Sequence, residues 1–336
     1  MSSAPTSEEI ARDATWLAQA LDPVAGVARL IAMDRGAYRA ASFLDDRMLQ
    51  QPVDAQIVPW PEVEAAMAGE RRGDARWIFH IGHVGSTLVS RLLGEIDGVL
   101  AVREPRLLRD LALSPPEVRA RYLASVGKLI SRSFAPDEVA CVKATSFVSE
   151  IAPELVPSGE RALLMYATPR NYVASILAGE NSVKELHALT PSRAARLRQR
   201  GIDLGTAHND AERAAIAWAC EITALEAAAV AMADRRVAWA DFDAMLADMP
   251  AELRRVAGFF GFATDDARLD AVATGPLMTR YSKAMEYDYS ASLRRDLIAE
   301  ATAAHRAAID DALAMLARAA EKSPMLARAL RRAGEA

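Results

Sequence analysis

Five short apolar runs recur through the middle of the chain: Trp77–Ile81, Val99–Val102, Val139–Val142, Ala162–Tyr166 and Val237–Ala240. Turn-forming residues precede them, such as Asp97-Gly98, Ala135-Pro136-Asp137 and Pro157-Ser158-Gly159, and helical spacing follows each. The runs are continuous rather than alternating, as expected of strands buried on both faces. Strands of that kind separated by helices indicate a parallel sheet of about five strands with helices on either side. Outside this core the pattern predicts helix. Residues 6–33 bring Trp16, Leu17, Leu21, Val24, Val27 and Ile31 near one face, and the chain is helical again from about Thr264. The expected organisation is one domain over 1–336: a helical N-terminal extension (1–73), an α/β core (74–262) and a helical C-terminal region (263–336).

The first run leads into WIFHIGHVGSTLVSRLL, where Leu88, Val89, Leu92, Leu93 and Ile96 take helical spacing from about Ser86. A strand that enters a helix through a Gly- and Ser/Thr-bearing loop is an anion site. The first helical N–H groups lack partners within the helix, and the positive end of the helix dipole points into the loop. Gly82, His83, Val84, Gly85, Ser86 and Thr87 are the candidates. The loop has no lysine and no G-x-x-x-x-G-K-[ST] spacing, which argues for a phosphate-bearing ligand other than ordinary ATP or GTP.

Ligands of open α/β sheets bind beyond the carboxyl ends of the strands. That rule selects His83–Thr87, Arg103-Glu104, Lys143–Ser146, Thr168–Arg170 and Asp241. Glu104 is placed to accept a proton, or else to pair with Arg103, Arg106 or Arg109. Lys143 is placed to neutralise charge on a transferring group, or to form a surface ion pair. His80, within the first strand, reads as a core histidine. The four arginines of 192–200 read as a solvated face or a lid over an anionic ligand.

Composition narrows the picture further. Of 336 residues, 51 % are hydrophobic and 25 % charged, and the formal charge is −5, which gives no basis for a nucleic-acid surface. Cys141 and Cys220 lie in apolar surroundings and read as buried thiols of a reducing compartment. The acidic N-terminus has no apolar core of signal-peptide type, and no stretch approaches the ~20 apolar residues of a membrane span, so a cytoplasmic protein is expected. HExxH, Cys/His ligand sets and G-x-S-x-G are absent.

Taken in order, these segments resemble the sulfotransferase superfamily, which uses 3′-phosphoadenosine 5′-phosphosulfate (PAPS). FHIGHVGSTLVSRLL is similar to the 5′-phosphosulfate loop, VREPRLLRDLA to the "EP" segment of bacterial and tyrosylprotein-type members, and CVKATS to the strand-tip lysine segment. MYATPRNYVASIL is similar to the 3′-phosphate segment, and RVAWADFDAMLADMPAELRRVAGFFGF to a later family stretch. The chain departs from the family pattern at His83, where Lys or Arg is usual, at Val84 for Ser, at Ala167 for Arg, and at Thr145 for the cytosolic members' His.

The resemblance implies a three-layer α/β/α, P-loop-like fold and transfer of a sulfuryl group from PAPS to a hydroxyl or amine, without a metal. It assigns Glu104 as base and His83 and Lys143 as charge stabilisers, with Arg170, Ser175, Arg280 and Lys283 on the 3′-phosphate. The acceptor is open among small molecules, glycans and peptides, and a homo-oligomer is compatible with the Ala-rich C-terminal helices. The alternatives are an ATP-dependent P-loop phosphotransferase and a non-catalytic binding protein that kept the fold.

Overall fold

The computed structural model describes residues 4–334; the outermost residues of the expected 1–336 domain, 1–3 and 335–336, lie outside the described residues. The five apolar runs form one parallel sheet: β4 (Arg76–His80), β5 (Val99–Arg103), β6 (Val139–Lys143), β7 (Arg161–Tyr166) and β8 (Arg236–Asp241). Their spatial order is β5-β6-β4-β7-β8. The helices Ser86–Leu93 and Met249–Phe260 pack together on one side of the sheet, and the long helix Asp210–Ala231 packs against β4 elsewhere, which makes the fold three-layered α/β/α. The chain steps from β4 outward to β5, returns through β6, then crosses to β7. The carboxyl end of β4 is therefore the point at which strand order reverses, the place where such sheets open a ligand crevice.

The N-terminal region differs from the helix expected over 6–33. Only Ser7–Arg12 is helical before β1 (Trp16–Asp22) and β2 (Val27–Ala32), which pair antiparallel with each other. β3 (Ala55–Pro59) completes a separate three-stranded sheet on the other side of β2. Asp22-Pro23 and Gly26 cause the reversal. The Asp22 side chain accepts from the Val24 and Ala25 N–H groups, and Gly26, at φ 66°, donates to the Asp22 carbonyl. Continuous apolar runs of this length fit strand and helix equally, and the Asp-Pro turn decides between them.

The C-terminal region is helical as expected, with Asp266–Ala273, Ala291–Ala304, Arg306–Ala320 and Pro324–Arg332. Residues 180–199, which carry most of the basic run 192–200, form one helix, Glu180–Gln199. Asp210–Ala231 has the length and composition of a membrane span, contrary to the sequence expectation. Its most apolar window is 78 % buried inside the protein, where it serves as a core helix.

Candidate functional site

The loop after β4 is held by side chains of the elements around it. Gly82 N–H donates to His80 Nδ1 at 2.9 Å, and Tyr172 Oη donates to the Ile81 carbonyl at 3.4 Å. Gly82, His83 and Gly85 all have positive φ, and Gly85 at φ 59° is the residue that starts the helix Ser86–Leu93. Glycine at 85 is required twice over, since a Cβ there would also overlap the Phe242 ring. The first intrahelical bond is Val89 N–H to the Gly85 carbonyl, which leaves the Ser86, Thr87 and Leu88 N–H groups without a backbone acceptor among the described residues. The Thr87 hydroxyl is buried and likewise has no partner among the described residues. Three free N–H groups beside a free hydroxyl form a cradle for an anion.

Glu104 follows β5 at φ 52°. Its N–H extends the β5–β6 ladder by bonding the Lys143 carbonyl at 2.7 Å, while Lys143 Nζ donates to Glu104 Oε1. Arg47 reaches Oε2 at 3.4 Å while bound to Asp45, and lies 3.2 Å over the Phe43 ring. Of the cations in the sequence alternative, none pairs with Glu104. Arg103 donates to the carbonyls of Tyr38, Arg39 and Ala41, and Arg106 pairs with Asp46 and Asp110. Arg109 makes no ion pair among the described residues but lines the same cavity. Lys143 does not lie in a surface pair; it is 1 % exposed.

Burial raises the Glu104 pKa, but Lys143 and then Arg47 outweigh it and hold the carboxyl below its usual range. Burial pulls Lys143 down to about 8 even with Glu104 beside it. Burial, with Lys283, Arg193 and Arg294 nearby, brings half-buried His83 down to about 3, so its imidazole is neutral at physiological pH.

These groups open into a cavity of about 1180 Å³, above the roughly 300–1,000 Å³ of an ordinary ligand pocket. Gly82, His83, Val84, Gly85, Ser86, Thr87, Glu104, Lys143, Ser175, Arg280 and Lys283 all line it. Arg170 does not: it pairs with Asp310 at 2.9 Å on the C-terminal helix Arg306–Ala320. Ser175 donates to the Tyr172 carbonyl, and Arg280 pairs with Asp288. Lys283 faces the cavity with no hydrogen bond or ion pair among the described residues. Its segment is tied to the loop helix by Arg91, which donates to the Ser282 carbonyl at 2.9 Å.

Several lining residues carried no local signal in the sequence. His80 is one, because its Nε2 is buried, unpartnered and 3.8 Å from Glu104 Oε1, so only its Nδ1 is satisfied as a core histidine's would be. Arg294 is another. It pairs with Asp243, lies 5.0 Å over Phe242 (the ring behind Gly85), and keeps a buried Nη2 without a partner. From the basic run 192–200, Arg193 and Arg196 turn inward to Glu221 instead of forming a solvated face. Glu221 Oε2 is itself buried and unpartnered. Of eleven buried side-chain nitrogen or oxygen atoms without a hydrogen-bond partner among the described residues, six belong to residues of this cavity. Buried polar groups are ordinarily satisfied by protein or by ordered water, so their concentration here marks the cavity as a place where partners from outside the chain complete the bonding. Among the described residues no group of His, Cys, Asp or Glu is arranged to hold a metal.

No protein-family model matches the chain, and no curated protein matches it. Among solved structures it is similar to the "Sulfotransferase Domain from the Curacin Biosynthetic Pathway", at 12 % identity and TM-score 0.40, over 67 % of this chain and 87 % of that one. It is also similar to the "Sulfotransferase Domain from the Synechococcus PCC 7002 Olefin Synthase", at 15 % identity and TM-score 0.38, over 63 % of this chain and 81 % of that one.

Proposed function

We propose that the protein is a sulfuryl transferase that takes PAPS as donor and a hydroxyl or amine as acceptor. One observation carries this reading: the lysine-free helix cradle opens into the same cavity as a buried carboxylate–ammonium pair, at the sheet's switch point. The residues present fit such a donor. The N–H groups of Ser86–Leu88, the Thr87 hydroxyl, Arg294 Nη2 and Lys283 are donors awaiting acceptors, and suit a phosphosulfate. Ser175, Arg193 and Arg280 also line the cavity and would hold a second phosphate by exchanging their present partners Tyr172, Glu221 and Asp288, whereas Arg170, bound to Asp310, is not among the lining residues.

When bound, the donor supplies a sulfuryl group on a phosphate leaving group. Glu104 would accept the proton of the acceptor hydroxyl or amine as its oxygen or nitrogen attacks sulfur and the bond from sulfur to the bridging oxygen breaks. A carboxylate held by an ammonium is ionised but weakly basic. Movement of Lys143 toward an arriving anion would raise the basicity of Glu104 when the acceptor is in place. Neutral His83 could donate one hydrogen bond to the anion, and would gain a proton as the anion's charge raises its pKa.

Arg170 bound to Asp310, with Ala167 nearby, also supports a second reading, a binding protein that has lost transfer. Calorimetry with 3′-phosphoadenosine 5′-phosphate and with magnesium-ATP separates the possibilities. Tight binding of the former supports a PAPS-type site; turnover of PAPS by the wild type and its loss in Glu104→Gln support the transferase, and binding without turnover supports the binding protein. Preference for magnesium-ATP would replace this reading with a kinase.

A further inference from the structure

The rim of the cavity differs sharply from its floor. Nine large hydrophobic side chains are exposed among the described residues. Six of them, Leu113, Leu189, Tyr281, Tyr287, Leu293 and Leu297, line this one cavity. They come from three separate stretches of chain: the end of the helix Arg106–Leu113, the middle of Glu180–Gln199, and the turn region 280–290 with the helix Ala291–Ala304 that follows it. Convergence from three stretches is not the by-product of one amphipathic helix. An apolar patch of this kind around a polar floor marks a surface that a ligand covers.

We propose that the acceptor is an amphiphile, with its hydroxyl or primary amine at Glu104 and Lys143 and an apolar body against this rim. The inference rests on the transferase reading, and it excludes free sugars and hydrophilic peptides from the acceptors left open by the sequence. The position of Leu113 supports it. The helix that carries Leu113 starts two residues after Glu104, so the chain leads directly from the candidate base to an apolar side chain about 10 Å along the helix axis. An occupant reaching from one to the other needs a polar end and an apolar length. The floor also accounts for selectivity: an acceptor lacking the polar end would leave Glu104 and Lys143 to be desolvated against hydrocarbon.

The test is a calorimetric titration of the protein saturated with 3′-phosphoadenosine 5′-phosphate, using butan-1-ol, hexan-1-ol, octan-1-ol and glucose. Affinity is expected to rise about three- to fourfold per added methylene, the amount set by burial of a CH₂, with no heat from glucose. Leu113→Ser and Leu297→Ser, both at exposed positions, should flatten that dependence and leave nucleotide affinity unchanged. A flat alcohol series, equal binding of glucose, or an alcohol series unaltered in both variants would overturn the proposal. So would a dimer that Leu297→Ser dissociates, since the rim would then be a subunit contact. Repeating the series without nucleotide keeps the two readings apart. Chain-length dependence without nucleotide binding sinks the transferase reading alone; nucleotide binding without chain-length dependence sinks the amphiphile alone.

Discussion

Removing the Lys143 ammonium isolates a buried carboxylate, and the cost can be bounded from the structure. Lys143 is 1 % and Glu104 8 % exposed, so solvent screens neither well. Breaking one side of a buried ion pair costs about 3–5 kcal/mol because the remaining charge is uncompensated. Arg47 remains 3.4 Å from Glu104, but its side chain is half exposed and already bound to Asp45, so it offsets only part of the loss. Lys143→Met, which keeps most of the stem, should therefore cost about 3 kcal/mol at pH 7, or about 6 °C in Tm at roughly 2 °C per kcal/mol. The pH dependence has a definite sign. In the wild type Glu104 lies below its usual range, so its contribution is present above the unfolded-state pKa and is lost as pH falls through the folded value. In the variant, burial prevails and the Glu104 pKa rises above the unfolded value. The deficit should then shrink at pH 5 and grow toward pH 7, and Glu104→Gln in the same chain should recover most of it. Urea denaturation followed by tryptophan fluorescence measures this, kept below pH 8 so that Lys143 holds its proton. A cost under about 1 kcal/mol, as for a solvated pair, or a deficit independent of pH, would refute a buried Glu104–Lys143 couple.

Gly85→Ala should cost about 2–5 kcal/mol, from the left-handed backbone and the overlap with Phe242, and should abolish nucleotide binding; thermal melts and calorimetry check both. His80→Asn retains an acceptor for the Gly82 N–H, whereas His80→Gln retains a donor at the Nε2 position. If the Nε2 proton facing Glu104 matters, the Asn variant binds nucleotide normally with kcat reduced at least tenfold while the Gln variant stays near wild type; the reverse ranking would make His80 a loop anchor only. Arg170→Ala should change nucleotide Kd less than about twofold, because its partner is Asp310 and both side chains are over one-third exposed; a larger loss would return Arg170 to the binding site.

How far the sequence carries depends on how local the determining physics is. The ends of all five core strands were readable to within a residue or two, because burial on both faces forces uninterrupted apolar runs. The loop at Gly82–Thr87 was equally readable, since its glycines and hydroxyls answer to backbone geometry within a few residues. The N-terminal hairpin was not, because its runs fit helical and strand periods alike and only the Asp22-Pro23 turn distinguishes them. Arg170 departs from its expected phosphate contact for a different reason. Its motif position is local, but its partner, Asp310, arrives from a helix 140 residues later. His80 Nε2, Glu221 and Arg294, which the sequence does not place at the site, share that dependence on distant packing, and so does the inward turn of Arg193, whose run reads equally as a solvated face or a lid.

Backbone strain links the two ends of the floor. Among the described residues, His83 and Glu104 are the two non-glycine positions with positive φ, at 54° and 52°. Such conformations cost on the order of 1–3 kcal/mol each and persist where surrounding structure over-determines them. At Glu104 the surroundings are visible: its N–H completes the ladder to β6, the chain must then turn into Pro105, and the left-handed bend accompanies the carboxylate's position on Lys143. At His83 the Gly82 bond to His80 and the helix start at Gly85 fix both sides of the residue. Glycine would relieve the strain at either position and would keep the backbone path. The chain carries an imidazole and a carboxylate there instead, so the backbone penalty is borne by side chains that face the same cavity.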